Sequence, residues 1–203
     1  MRINTVRLRV VLGILAIALP WIVAGLNKGI PESISATYYV PECITPFMGI
    51  LVSSAVILMC YKGYDLQDDI ILTLSGIMGL GICLFPTYTN QYEYVGTFHL
   101  PVVTSANIHN IFAIIFFALL SYNSFFLFTK GSSTPTKKKK IRNVIYRVCA
   151  IGMLGSFSIM LLPYFSIQIW LVETIALSFF GLSFLTKADV FPFLFCDTPY
   201  TDN

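Results

Sequence analysis

Six stretches of this chain, 8–26, 45–61, 70–88, 105–128, 144–164 and 167–186, are apolar runs almost free of charge. Each approaches or exceeds the ~20 residues that a helix needs to cross the hydrocarbon core of a bilayer. No other feature limits the fold as strongly. Backbone groups in hydrocarbon have no water to bond, so such runs satisfy themselves as helices. The expected architecture is all-α: a polytopic membrane protein forming a single bundle of six transmembrane helices.

Composition agrees. Only 11% of the 203 residues are charged and 56% are apolar, with a mean hydropathy of +0.77. An ordinary soluble domain carries about 25% charged residues. A chain this short and apolar cannot cover itself with polar groups, and its length leaves nothing for a second domain. Arg2, Arg7 and Arg9 at the start of the first run resemble the basic end of a signal peptide. The run is longer than the usual h-region of about 7–15 residues, so it reads as an uncleaved first helix.

Orientation follows from the basic residues, which are retained on the cytoplasmic side. With the N-terminus inside, the inner segments hold Arg2, Arg7, Arg9, Lys62, Lys130, Lys137–Lys140, Arg142, Arg147 and Lys187, against Lys28 alone outside. Twelve against one places both termini in the cytoplasm and the chain in the cell (inner) membrane. The inner loops are 62–69 and 129–143, and the outer loops are 27–44 and 90–104. Pro163 and the two residues 165–166 predict a tight hairpin between the last two helices. The stretch 190–195 is apolar but too short to span.

Helices in lipid associate through small residues. Ser75, Gly76, Gly79 and Cys83 in the third run, and Gly152 and Ser156 in the fifth, are the expected contact faces. Pro20 is expected to kink the first helix. Trp21 and Trp170 fall near the outer interface, where indole is favoured.

Ionisable residues inside a membrane are costly and each asks for a reason. Glu173 lies about 9 Å below the start of the sixth run and His109 about 6 Å below the start of the fourth, at 1.5 Å per residue. Both helices enter from outside, so the two residues share a depth. With Asn110 beside His109, and with Ser35, Tyr38 and Tyr39 in the loop above, they form a candidate outer-face cluster. Two readings stand side by side: a ligand or proton-handling pocket, or hydrogen bonds that tie helices together. On either, Glu173 and His109 are expected within reach of each other or of one shared ligand or water.

Other chemistries are set aside. Two histidines, one in a loop, do not supply axial haem ligands on separate helices. They are too few for a catalytic zinc. No thiolate metal site is expected from the five cysteines, of which only Cys43 falls in an expected outer loop. No metal or cofactor is therefore expected. Phosphate-binding, dinucleotide and nucleophile-elbow motifs are lacking. Ser35, His109 and Glu173 can be combined on paper into a triad, but no motif supports it. A nucleic-acid partner has no support. The run Lys137, Lys138, Lys139 and Lys140, with Arg142, should attract anionic lipid headgroups at about 1 kcal/mol per residue, or serve only as a topology signal.

The segments 33–39 (SISATYY), 61–65 (YKGYD), 84–87 (LFPT), 109–113 (HNIFA), 127–130 (LFTK), 142–146 (RNVIY) and 170–173 (WLVE) together resemble a family of bacterial six-span membrane proteins of undefined activity. Through the Phe-Pro turn and the start of the fourth helix, the chain is also similar to the Frag/DRAM/Sfk-type group. The resemblance implies recurring residues at the outer face, around Ser35, Tyr38, Tyr39, His109 and Glu173. It implies no particular reaction. The expectation is a non-enzymatic membrane protein that binds or senses a lipid or small hydrophobic ligand. The alternatives are a small transporter or channel subunit and a membrane-embedded lipid-modifying enzyme.

Overall fold

The computed structural model describes residues 5–131, 136–159 and 168–191. It contains six helices: α1 (Thr5–Leu26), α2 (Pro41–Cys60), α3 (Leu66–Leu84), α4 (Val102–Tyr122), α5 (Lys137–Ile159) and α6 (Ile169–Lys187). α4 continues into one π-helical turn, Asn123–Leu127. A single 3-10 turn, Ser35–Tyr39, precedes α2. A two-residue antiparallel ribbon, Tyr94–Val95 with Leu100–Pro101, precedes α4.

Among the described residues five helices are long and apolar enough to cross a membrane: α1, α2, α3, α4 with its π turn, and α6. α5 is not among them, because its described part carries Lys137–Lys140, Arg142 and Arg147 in its first half. The end of the expected fifth span, the 165–166 hairpin, most of the 190–195 stretch and Cys196 lie outside the described residues.

Helices α1 to α5 begin earlier than their apolar runs, since hydropathy marks the hydrocarbon-soluble part and not the helix, whereas α6 begins at Ile169, just inside its run. α2 starts at Pro41, whose missing N–H is no loss in a first turn. α3 starts at Leu66, where the Asp65 side chain accepts from the Asp68 N–H at 3.0 Å and caps the helix. α1 runs unbroken through Pro20.

Successive helices pack side by side, and α6 closes the series on α1. The expected small-residue faces are close-packed. A Cβ on Gly76 would stand 2.5 Å from the Ala55 carbonyl oxygen, and one on Gly79 would stand 3.2 Å from the Ala55 methyl, so α3 lies directly on α2. Gly152 receives the Phe179 ring, joining α5 to α6. A further seam joins α1 to α6, where Gly13 and Gly181 face each other: a Cβ on either would fall within 3 Å of the other's carbonyl oxygen. The interior is an aromatic column in which Phe116, Phe180, Phe184, Phe128 and Tyr146 meet edge to face, with centroids 4.9–6.4 Å apart. Ile14, Ile114, Val148 and Ile151 point outward and are more than half exposed. Such faces suit lipid.

The bundle has two polar ends. Segments 27–40 and 85–101 gather at the tyrosine end. Segments 61–65, 128–131, 136–142 and 187–189 gather at the lysine end.

Candidate functional site

At the tyrosine end, the segment before α2 folds on its own hydroxyls. Ser33 Oγ accepts from the Ala36 N–H at 2.8 Å, and Thr37 Oγ1 donates to the Ile34 carbonyl at 2.5 Å. This sets the 3-10 turn and aims its first donors at α6. The Ile34 N–H donates to Glu173 Oε2 at 2.5 Å, and Ser35 Oγ donates to Oε1 at 3.2 Å. The Trp170 N–H, at the start of α6, donates to the Glu32 carbonyl at 3.1 Å. Beneath this clamp, Ile34 sits with Leu19, Val23, Cys43, Phe47 and Trp170 in a small apolar core. The Glu173 carboxyl group is thereby tied to two donors of the turn, as a polar group in an apolar setting requires.

A second junction forms just past α3. A helix ends with carbonyls that lack intrahelical partners, and here three consecutive carbonyls each receive a side chain. His109 Nδ1 meets the Phe85 oxygen at 2.8 Å, Ser105 Oγ donates to Pro86 at 2.8 Å, and Tyr39 Oη donates to Thr87 at 2.7 Å. His109 and Ser105 come from α4, one turn apart, while Tyr39 comes from the 3-10 turn. Gly96, at φ +72, turns the ribbon over this junction. A Cβ there would meet the Pro86 ring. Tyr39 is wedged between Tyr38 and Tyr92, with centroids at 5.1 and 6.1 Å. Burial, with Tyr38 beside it, pushes its phenol up to about 12.

The candidate residues thus fall into two junctions that share the 35–39 turn. Ser35 meets Glu173, whereas Tyr39 and His109 meet the 85–87 segment, and Tyr38 packs on Tyr39. Glu173 and His109 do not bond each other, because each has found a backbone partner that hydropathy does not reveal. Asn110 is exposed, and its side chain hydrogen-bonds to no described residue. Trp170 Nε1 is buried without a partner among the described residues, and its ring meets Trp21 edge to face at 5.7 Å. Cys43, expected in an open loop, lies in the first turn of α2 and is fully buried.

The lysine end is more integrated than its sequence implies. Lys130 Nζ lies 2.8 Å from both Asp65 and Asp68, and Asp68 is buried. The hydrogen bond from Lys130 holds the Asp65 carboxyl below its usual range. Arg142 pairs with Asp189 at 2.8 Å. Within the lysine run, Lys137 and Lys140 are exposed. Lys139 is half-buried, and its Nζ donates to the Phe128 carbonyl at 3.1 Å. Lys187, which reads as an interfacial anchor, is instead buried among the rings of Tyr64, Phe128 and Tyr146, with its amine 4.8–6.0 Å from their centroids. Arg9 donates to the Tyr61 hydroxyl at 2.6 Å and to the Lys187 carbonyl at 3.2 Å. Hydropathy could not find these partners, since a cation in an aromatic cage and one in water have the same sequence signal.

Among the described residues no three His, Cys, Asp or Glu side chains gather as a metal site. Searches of family models, of curated proteins and of solved structures found no match to this chain.

Proposed function

We propose that this chain is an integral membrane protein of six spans, with both termini in the cytoplasm, that holds a lipid or small apolar ligand without turning it over. The tyrosine end then faces outward. The supporting observation is the clamp between Glu173 and the 34–35 turn. A bundle of apolar helices has no packing need for a carboxylate, and an ionisable group at such a place points to function. Its two partners are donors on a loop, and a ligand bearing a hydroxyl or ammonium group offers the same donors. Exchange of one set for the other opens the 27–40 loop over the apolar core around Ile34 and Trp170. Tyr39, Ser105 and His109 are engaged with backbone carbonyls, and Ser35 bonds Glu173 while His109 is held at the other junction, so Ser35, His109 and Glu173 do not form a relay, which favours binding over catalysis.

The test is mass spectrometry of lipids and small molecules retained by the purified protein. A ligand class retained by wild type, lost from Glu173→Gln and unchanged chemically on prolonged incubation supports the reading. Equal retention by wild type and Glu173→Gln removes the clamp from it, and conversion of the ligand replaces binding with catalysis.

A further inference from the structure

We propose that the groove between α4 and α5 binds one acyl chain of an acidic phospholipid, with Arg147 holding the lipid phosphate. This site lies toward the lysine end, away from the Glu173 clamp. It rests only on the chain's being embedded in a membrane.

The groove has a volume of about 380 Å³, within the ~300–1,000 Å³ of small-molecule sites. Ala118, Tyr122, Phe125 and Phe126 form one wall, with Ile151 and Leu154 opposite. Its few hydroxyls are occupied: Ser121 donates to the Ala150 carbonyl at 3.1 Å, and Tyr122 accepts from Gln67 at 2.7 Å. The lining therefore offers an apolar guest only dispersion and burial, which is what a hydrocarbon chain needs.

One end of the groove is charged. Arg147, Ile151 and Leu154 stand at i, i+4 and i+7 on α5 and so share a face. Arg147 continues the α5 wall toward the lysine end. Its guanidinium lies 5.7 Å over the ring of Phe125, which belongs to the opposite wall. Arg147 is exposed and makes no ion pair with any described residue, whereas Arg142 and Lys130 on the same end have carboxylate partners. It sits about 15 Å along α5 from Lys137, at 1.5 Å per residue. An apolar slot closed by an unpaired guanidinium is complementary to an amphiphile with an anionic head. The guanidinium fork matches phosphate oxygens two at a time. Lys137 and Lys140 nearby, both exposed, favour a headgroup of net negative charge over a zwitterionic one.

The experiment places the full chain in vesicles of phosphatidylcholine with and without phosphatidylglycerol, and counts by native mass spectrometry the lipids that stay bound on release into detergent. Wild type should retain phosphatidylglycerol over phosphatidylcholine. In Arg147→Gln that preference should fall about tenfold, the worth of one charge-assisted contact, with Arg147→Lys between the two. Ala118→Phe, at an exposed position that fills the slot, should lose the tightly held lipid of either class. An unchanged preference in Arg147→Gln, or an unchanged lipid count in Ala118→Phe, overturns the assignment and leaves the arginine as a surface anchor. Failure of the wild-type protein to float with vesicles would instead overturn the membrane reading itself.

Discussion

Replacing Glu173 with Leu removes the acceptor of two loop donors while keeping a similar apolar volume. The Ile34 N–H belongs to a residue only 3% exposed, and a buried donor left without a partner costs about 1–3 kcal/mol. Ser35 is half-buried and can turn its hydroxyl partly to water, adding about 1 kcal/mol or less. The sum is about 1–4 kcal/mol, which for a chain of this size lowers the melting temperature by about 2–16 °C. Glu173→Gln keeps one oxygen for Ile34 and offers its amide to Ser35 Oγ, so its loss should be about 1 kcal/mol. Thermal denaturation of the detergent-solubilised protein, read by tryptophan emission, is the assay, because Trp21 and Trp170 meet edge to face beside the clamp. Leu at wild-type stability, or Gln as damaging as Leu, would refute the clamp as drawn.

Lys130→Met should cost about 1–3 kcal/mol, less than the full loss of a buried pair because Lys130 is about a third exposed; urea or thermal denaturation measures it. The lowered pKa of Asp65 means that its pairing contributes fully above the ordinary aspartate value of about 4 and is lost as pH falls through the folded value. Stability of the wild type should therefore fall more steeply than that of Lys130→Met as pH drops below about 4, and parallel curves would contradict the pairing. Gly181→Val should force α1 and α6 apart at about 1–3 kcal/mol, visible as a lower melting temperature. Replacing Lys137 and Lys140 with Gln should weaken binding to anionic vesicles in a salt-dependent way without loss of stability, whereas Lys139→Gln should lose stability as well, because its amine holds the Phe128 carbonyl.

The apolar runs located the helices because lipid-soluble length is written directly in residue type. Their ends were less legible. Leu66–Asp69 extends α3 through a charged first turn, and only the Asp65 cap marks it. The faces of α3 and α5 were readable from Gly76, Gly79 and Gly152, since small residues at helical spacing lie on one element. The Gly13–Gly181 seam was not, because its halves sit on the first and last helices and neither announces the other. The Glu173–Ser35 contact joined two residues already suspected. The partner of His109 could not be read, because it is a backbone carbonyl exposed where α3 ends, and carbonyls have no sequence signature. Cys43 shows the same limit in reverse: a proline-flanked polar segment suggests a loop, yet Pro41 starts a helix and the thiol is buried.

The most direct test of the membrane arrangement uses two engineered cysteines at exposed positions, Gln91→Cys and Lys137→Cys, each in a background with Cys60 and Cys196 changed to Ser. The buried Cys43, Cys83 and Cys149 stay in place. Intact cells are treated with a membrane-impermeant thiol reagent. Six spans with cytoplasmic termini predict labelling at position 91 without permeabilisation and at position 137 only after it. Labelling of position 137 in intact cells, with position 91 protected, would contradict the account.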